Sequence, residues 1–359
     1  MSPACAEAVL IVAGDPHQLT GGYLYDAHIV DGLRERGHSI RVVGLDGTFP
    51  EPDATARQAL DDTLAAIVDH AIVVIDGLAM GALPEVIERH ADRLCVIALV
   101  HHPLADETGL DANTRDRLLS AEQRALAAVT AVVVTSVFTA RRLEELDIRA
   151  PSLTVVEPGV APAAAAPDRQ EGPCRLLCVA TLIPRKGHDV LVAALSGLSD
   201  LDWQCECVGA LDRDPAYADA VAAQIEDAHL SERLRLRGPL EATELNDAYA
   251  RSDLFVLPSH YEGYGMVILE ALAHGLPIVT TTGGALADTL PADCGLAVPP
   301  GDTAALHDAL RTLIVDRDAR HRAQATARAA RDHLRRWPQA ANEFGQLLDT
   351  LDRRGGSCA

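Results

Sequence analysis

Short apolar runs rich in valine, isoleucine and leucine recur along the whole chain, with amphipathic stretches between them. In the first half they are Ala8–Ala13, Ser39–Val43, Ile72–Ile75, Leu94–Val100, Ala131–Thr135 and Leu153–Val156. Tyr23–Gly37, Ala54–His70, Asn113–Ala128 and Thr139–Leu146 separate them with apolar residues at helical spacing. A strand that is apolar on both faces must be covered on both faces, so the sheet is expected to be parallel with helices on either side. The segment Ala161-Pro162-Ala163-Ala164-Ala165-Ala166-Pro167, followed by polar Asp168 to Gly172, breaks the pattern and reads as a linker. A second alternation follows, with strands at Arg175–Ala180, Gln204–Val208, Leu234–Arg237, Leu254–Pro258 and Ile278–Thr281. The tail is predicted helical over Thr303–Val315, Ala319–Leu334 and Pro338–Leu351. The fold class expected is therefore α/β, with two Rossmann-like, doubly wound parallel-sheet domains at residues 1–160 and 174–336, a linker at 161–173 and a terminal helix and tail at 337–359. A length of 359 residues accommodates two such cores. Ligands bind such sheets outside the carboxyl ends of the strands.

Composition narrows the partners. A net charge of −21 opposes nucleic acid and anionic lipid, which are held through clustered Lys and Arg. Aromatic residues make up only 3%, too few for a surface of stacked rings. No apolar run approaches the roughly 18 residues of a membrane-spanning helix, and Met1 to Glu7 lacks the basic start of a signal peptide. No integral membrane segment is expected, and the cytoplasm is the expected compartment. Of the eight cysteines, Cys174, Cys178, Cys205 and Cys207 fall in or beside strand-like runs without zinc-site spacing, and read as small core residues. Asp212-Arg213-Asp214 and Asp316-Arg317-Asp318 each place an arginine between two acids, where it competes with any metal, so no metal site is expected.

One basic residue stands apart. Of thirty-one Lys and Arg, only Lys186 is lysine, and it sits in Arg185-Lys186-Gly187-His188-Asp189 between a strand-like and a helix-like run. A compact ammonium and a planar guanidinium are not equivalent where a point charge meets a phosphate. The most informative segment is Ser259-His260-Tyr261-Glu262-Gly263-Tyr264-Gly265-Met266-Val267-Ile268-Leu269-Glu270, which leaves an apolar strand and opens a helix ending near Gly275. That helix is apolar nearly all round, so Glu270 needs a hydrogen-bonding partner, such as a ribose diol. Free N–H groups at Gly265 and Met266 would favour an anion.

The spacing Glu262-x₇-Glu270, with Arg185-Lys186-Gly187-His188 upstream, resembles the retaining glycosyltransferases of family 4, which have the GT-B fold. The resemblance extends to Gly21-Gly22 after the first strand, Gly238-Pro239-Leu240, Gly283-Gly284, and Trp337-Pro338 at the start of the last helix. It implies two domains facing across a cleft and a last helix returning to the first domain. It also implies that Lys186 holds the diphosphate of a nucleotide-sugar donor and that Glu270 binds the ribose. Glu262, with the backbone of Gly263, Tyr264, Gly265, Met266 and Val267, would hold the sugar. Gly238, Pro239 and Leu240 would line the base pocket, and Gly22 would allow close backbone approach. The family usually has an arginine five residues before the lysine; Thr181 stands there, and Arg185 is expected to supply the second positive charge.

The family often carries a catalytic-site histidine after the fourth strand, where this chain has Val100-His101-His102-Pro103. The sequence leaves His101 and His102 open, with His102 preferred, and places Gly21, Asp106 and Glu107 on the acceptor side. The reaction implied is retaining transfer of a sugar from a nucleotide-sugar to a small acceptor, without a metal, by front-face displacement. Lys186, Arg185, Glu262 and one histidine are the catalytic candidates. Two rivals remain on the same scaffold: an epimerase or hydrolase that turns donor over without an acceptor, and a non-catalytic nucleotide-sugar-binding protein.

Overall fold

A computed structural model describes residues 7–169 and 171–355. Met1 to Ala6, on which the leader reading rests, lie outside the described residues, as do Gln170 and residues 356–359. The chain divides into two compact units. One runs to Gly159 and takes in the chain from Arg336 onward; the other is Val160–Arg335.

The first unit is built on strands β1 (Ala8–Ala13), β2 (Ile40–Leu45), β3 (Ile72–Asp76), β4 (Cys95–Val100), β5 (Ala131–Val134) and β6 (Leu153–Val155), ordered β2-β1-β3-β4-β5-β6. All neighbours are parallel. β1, β3 and β5 are buried along their whole length, because helices cover both faces. The second unit has β7 (Cys174–Val179), β8 (Trp203–Val208), β9 (Leu234–Gly238), β10 (Leu254–Leu257), β11 (Ile278–Thr281) and β12 (Gly295–Val298), in the order β12-β11-β10-β7-β8-β9. This sheet is parallel as well.

The strand order places the ligand-binding edges. In the second sheet the chain winds outward from β7 through β8 to β9, then returns to the other side of β7 at β10. Loops that follow β7 and β10 therefore diverge to opposite faces and leave a crevice between them. In the first sheet the same reversal falls between β1 and β3.

Several elements differ from the sequence expectation. β12 goes unnoticed in the sequence because it is four residues long, lies at the sheet edge and exposes Leu296. Helices Gly77–Met80 and Pro84–His90 also lack a readable period, being one or two turns long. The stretch Ala54–His70 is helical only to Ala65. Asp214 and Asp316, from the two Asp-x-Asp triplets, are helix caps: their carboxylates accept from the N–H of Tyr217 at 3.0 Å and of Ala319 at 2.9 Å.

The Pro/Ala segment has no regular structure and is tied to the second unit. Ala166 donates to His274 O at 2.8 Å and accepts from Arg328 at 2.7 Å, while Ala163 O accepts from Arg331 at 2.5 Å. The last helix, Trp337–Gly355, lies against helix Gly21–Glu35 in the first unit. Trp337 stacks on His28 with ring centroids 4.2 Å apart. Gly32 lets the two helices approach, since a Cβ there would come 2.4 Å from that of Ala341.

Candidate functional site

In the second unit the crevice between β7 and β10 gathers the charged residues of both motifs. The turn Pro184–Lys186 follows β7 and ends on Gly187, whose φ of +68° lies in the left-handed region. A Cβ on Gly187 would stand 2.3 Å from Pro258 O, so only glycine lets this turn lie against the end of β10. Two hydrogen bonds then join the loops: His260 N–H donates to Arg185 O at 2.8 Å, and the Arg185 guanidinium donates to Tyr261 O at 2.9 Å.

This zipper brings Lys186 to Glu262, 76 residues away in sequence, with Nζ 2.6 Å from Oε1. The Ser259 hydroxyl donates to the same oxygen at 2.7 Å, and Arg185 Nη1 stands 3.7 Å from Oε2. Glu262 is buried. Burial alone would raise its carboxyl, but the charges of Lys186 and Arg185, with hydrogen bonds from Lys186 and Ser259, hold it below the usual range. Burial, opposed by Glu262 and reinforced by Arg185, holds the Lys186 ammonium below the usual lysine range. Two cations thus share one carboxylate, which leaves a net positive charge.

The Gly283–Gly284 loop after β11 packs against the same segment. A Cβ on Gly284 would meet Glu262 O at 2.2 Å, and Ala285 N–H donates to that oxygen at 2.8 Å. Gly265, at φ +88°, starts helix Met266–Ala273, and no side chain caps the helix N-terminus. Ile268 N–H turns back to Gly265 O at 2.9 Å, and the N–H groups of Met266 and Val267 ahead of it are the ones an acceptor can reach. One turn into that helix, Glu270 accepts from the Tyr249 hydroxyl at 2.7 Å. Burial raises the Glu270 carboxyl, the Tyr249 bond only partly opposing it. Tyr249 comes from the helix before β10 and carries no motif; it stacks on His274 with centroids 5.0 Å apart.

Gly238, Pro239 and Leu240 sit at the end of β9, two strands from β7. Gly238 takes φ +71°, and a Cβ there would meet nothing within 4 Å. Leu240 packs on the core of this unit.

In the first unit, Gly21 and Gly22 open helix Gly21–Glu35 after β1, and His101 leaves the end of β4. A Cβ on Gly22 would come 3.2 Å from His101 Cδ2, so the histidine next to the glycine pair is His101. His101 Nε2 lies 3.2 Å from Asp26 Oδ1, and the Tyr25 ring meets the imidazole edge-on. Asp76, the last residue of β3, faces the same group and caps helix Gly77–Met80 through Leu78 N–H at 3.0 Å. Burial pushes Asp76 up to about 6, with the Asp26 charge adding to it and that of His101 opposing. Burial alone would lower His101, but the charges of Asp26 and Asp76 hold it above the usual histidine range. The donor atoms of Asp26, Asp76 and His101 lie within 4.8 Å of one another, a grouping with the span of a cation site. Signals for both acids exist in the sequence: Asp26 falls among Tyr25, Ile29 and Val30 on an otherwise apolar helix face, and Asp76 ends an apolar strand.

His102 is directed elsewhere. Its Nε2 stands 3.2 Å from Glu107 Oε2. Asp106 is held by Arg142 through two parallel bonds, 2.7 and 2.8 Å. The loop carrying them is anchored from below by Glu122, fully buried, which accepts from Leu104 N–H at 3.0 Å. Burial pushes the Glu122 carboxyl up to about 8.

Residues 163–330 match the family model of glycosyl transferases group 1. The D-inositol 3-phosphate glycosyltransferase of Kineococcus radiotolerans is 32% identical over 238 residues, 58% of this chain and 54% of that protein. The chain spans from a fifth to about half the length of the curated relatives it matches. The sucrose-phosphate synthase of Thermosynechococcus elongatus superposes with a TM-score of 0.82 at 20% identity, over 96% of this chain and 99% of that one. Anabaena HepE in complex with UDP-glucose gives a TM-score of 0.75 at 17% identity, over 96% and 99%. The fold is GT-B.

Proposed function

We propose that the chain is a retaining glycosyltransferase of family 4, which moves a sugar from a nucleotide-sugar donor to a small soluble acceptor. The observation that carries this reading is the Lys186–Arg185–Glu262 cluster beside the uncapped helix N-terminus at Gly265. It offers net positive charge and free N–H groups at the topological switch of a Rossmann-like sheet, which is the chemistry a diphosphate requires. The matched group 1 segment and the likeness to a protein crystallised with UDP-glucose support the same donor class.

In this reading Lys186 and Arg185 hold the diphosphate and take up the charge that grows on it as the sugar leaves. Arg185 serves where the family has an arginine at the Thr181 position. Glu270, oriented by Tyr249, receives the ribose hydroxyls, and the Gly263–Val267 backbone with Glu262 receives the sugar. Gly238 to Leu240 contribute to the base pocket. His101, beside Gly22, is the catalytic histidine of the first unit; Gly21, Asp106 and Glu107 belong to the acceptor side, and His102 orients that loop through Glu107. Glu262 is committed to Lys186 and Ser259, and Glu270 to Tyr249, so neither is poised as a nucleophile. Front-face displacement follows, with the leaving phosphate accepting the acceptor's proton. No metal is assigned to the reaction, because side chains and the helix terminus already meet the leaving charge. A relative named for D-inositol 3-phosphate supports a small acceptor.

The test is a thermal-shift screen over nucleotide-sugars. A donor at 100 times its Kd adds about 2.7 kcal/mol of stability. The stabilising donor is then assayed against acceptors, with and without added Mg²⁺ or Mn²⁺, and the product's anomeric configuration is read by NMR. Inverted product overturns retention, and turnover that requires the added Mg²⁺ or Mn²⁺ overturns metal independence. Turnover of donor at the full rate without acceptor shows the hydrolase or epimerase reading instead.

A further inference from the structure

A second cluster lies within the core of the donor-side unit, and the proposed reaction makes no use of it. Cys178 and Cys207 are direct partners in the β7–β8 ladder, so their side chains leave the same face of the sheet. His188 begins the helix that follows β7, two residues after Lys186, and its Nε2 lies 3.8 Å from Cys178 Sγ. The three ligand atoms fall within 4.8 Å of one another, and all three residues are buried. Nδ1 of His188 has no hydrogen-bond partner. A lone buried imidazole among thiols is a costly way to fill an apolar core.

Their number, chemistry and spacing suit a soft cation. In a tetrahedral zinc site, sulfur at about 2.3 Å and nitrogen at about 2.0 Å from the metal stand roughly 3.6 Å apart, close to the separation here. Two thiolates and a divalent ion sum to zero charge, which removes the main obstacle to burying either.

We propose that Cys178, Cys207 and His188 bind a thiophilic d10 metal ion, zinc(II) in particular, as a structural clamp. The ion ties β7 and β8 to the first turn of helix His188–Ser196 and so braces the turn that presents Lys186. It touches no substrate and is separate from the transfer chemistry.

The full-length chain, expressed with zinc supplementation and purified without chelator, is analysed for bound metal. It is then stripped under reducing conditions and titrated with Co²⁺. About one equivalent of zinc per chain is expected, with sulfur-to-cobalt charge-transfer absorption on titration and a higher Tm when zinc is restored. Cys178→Ala and Cys207→Ala are expected to lose all three responses, and Cys294→Ala, in a buried cysteine outside the cluster, to keep them. His188→Gln retains both thiols and covers the case in which the cysteine variants do not fold; folded by circular dichroism, it should bind zinc at least ten-fold more weakly. Wild-type protein with below about a tenth of an equivalent of zinc and no charge-transfer band overturns the proposal. A folded His188→Gln protein with unchanged zinc affinity overturns it too, as does a loss of two titratable thiols, which would mark a Cys178–Cys207 disulfide instead. None of these readouts depends on transferase activity, so the site stands or falls apart from the proposed function.

Discussion

Lys186 and Arg185 bring two positive charges to one buried carboxylate, and only one of them suits the position Lys186 occupies. Its Nζ meets Glu262 Oε1 at 2.6 Å, an oxygen that also accepts from the Ser259 hydroxyl, and a planar guanidinium does not reproduce that point contact. Lys186→Arg preserves charge, yet kcat/KM is expected to fall about a hundred-fold while the fold is retained; steady-state kinetics with the donor from the screen decides it. His101 offers a direct reading of its carboxylate neighbours. With Asp26 lost as a counter-charge and Asp76 remaining, Asp26→Asn should lower the His101 titration, followed by NMR of the imidazole; an unchanged midpoint would show that the Asp26 contact is not made in solution. Glu122 shows the opposite balance. Its folded value of about 8 exceeds the unfolded carboxyl, so the folded state holds a proton the unfolded state has lost. That contribution is complete below the unfolded value and drains away as pH rises towards 8, on the order of 5 kcal/mol in all. Glu122→Gln should therefore flatten the slope of unfolding free energy between about pH 4.5 and pH 8, measured by denaturant titration.

At the scale of elements, the decisive device is the junction of two loops by their backbones. Gly187 sets it, through a left-handed φ and a gap beside Pro258 O that no Cβ fits. Gly187→Ala should cost about 1–3 kcal/mol in urea unfolding and weaken donor binding, since displacing the turn displaces Lys186. A variant with unchanged donor Kd would sever the link between turn geometry and phosphate binding. The last helix matters to the first unit in the same geometric way: Gly32 opens the helix surface to Ala341, and Trp337 covers Tyr25 and His28.

Over the whole molecule, the chain leaves the first unit at Gly159 and returns to it at Arg336, so the second unit is a continuous insertion in a discontinuous first one. Ending the chain at Arg335 should therefore be felt unequally. The first unit loses the helix covering helix Gly21–Glu35 and its melting transition should drop by several degrees or vanish, while the second keeps its own. Calorimetry that found a single unshifted transition would contradict this division.

The central strands were readable because a strand buried on both faces must be a run of apolar residues, as β1, β3, β5 and β10 are, while β8 and β9 show alternation instead, Trp-Gln-Cys-Glu-Cys-Val and Leu-Arg-Leu-Arg-Gly. β12 escaped because an exposed edge strand of four residues carries no such demand. Lys186 was readable as the one lysine of the chain, Glu270 as a charge on an otherwise apolar helix, and Glu262 by its spacing to Glu270. Their partners were not. Lys186 meets Glu262 only because β10 returns beside β7, a fact of strand order rather than of local pattern. Likewise Tyr249 finds Glu270, Asp26 finds His101 and Arg142 takes Asp106 through contacts between separate elements. Sequence alone determined two parallel α/β units and which residues carry unusual charge, because burial and periodicity act along the chain. Tertiary structure alone decided which charges pair, which histidine of the adjacent two lies beside Gly22, and that three core residues form one cluster, because pairing acts across space.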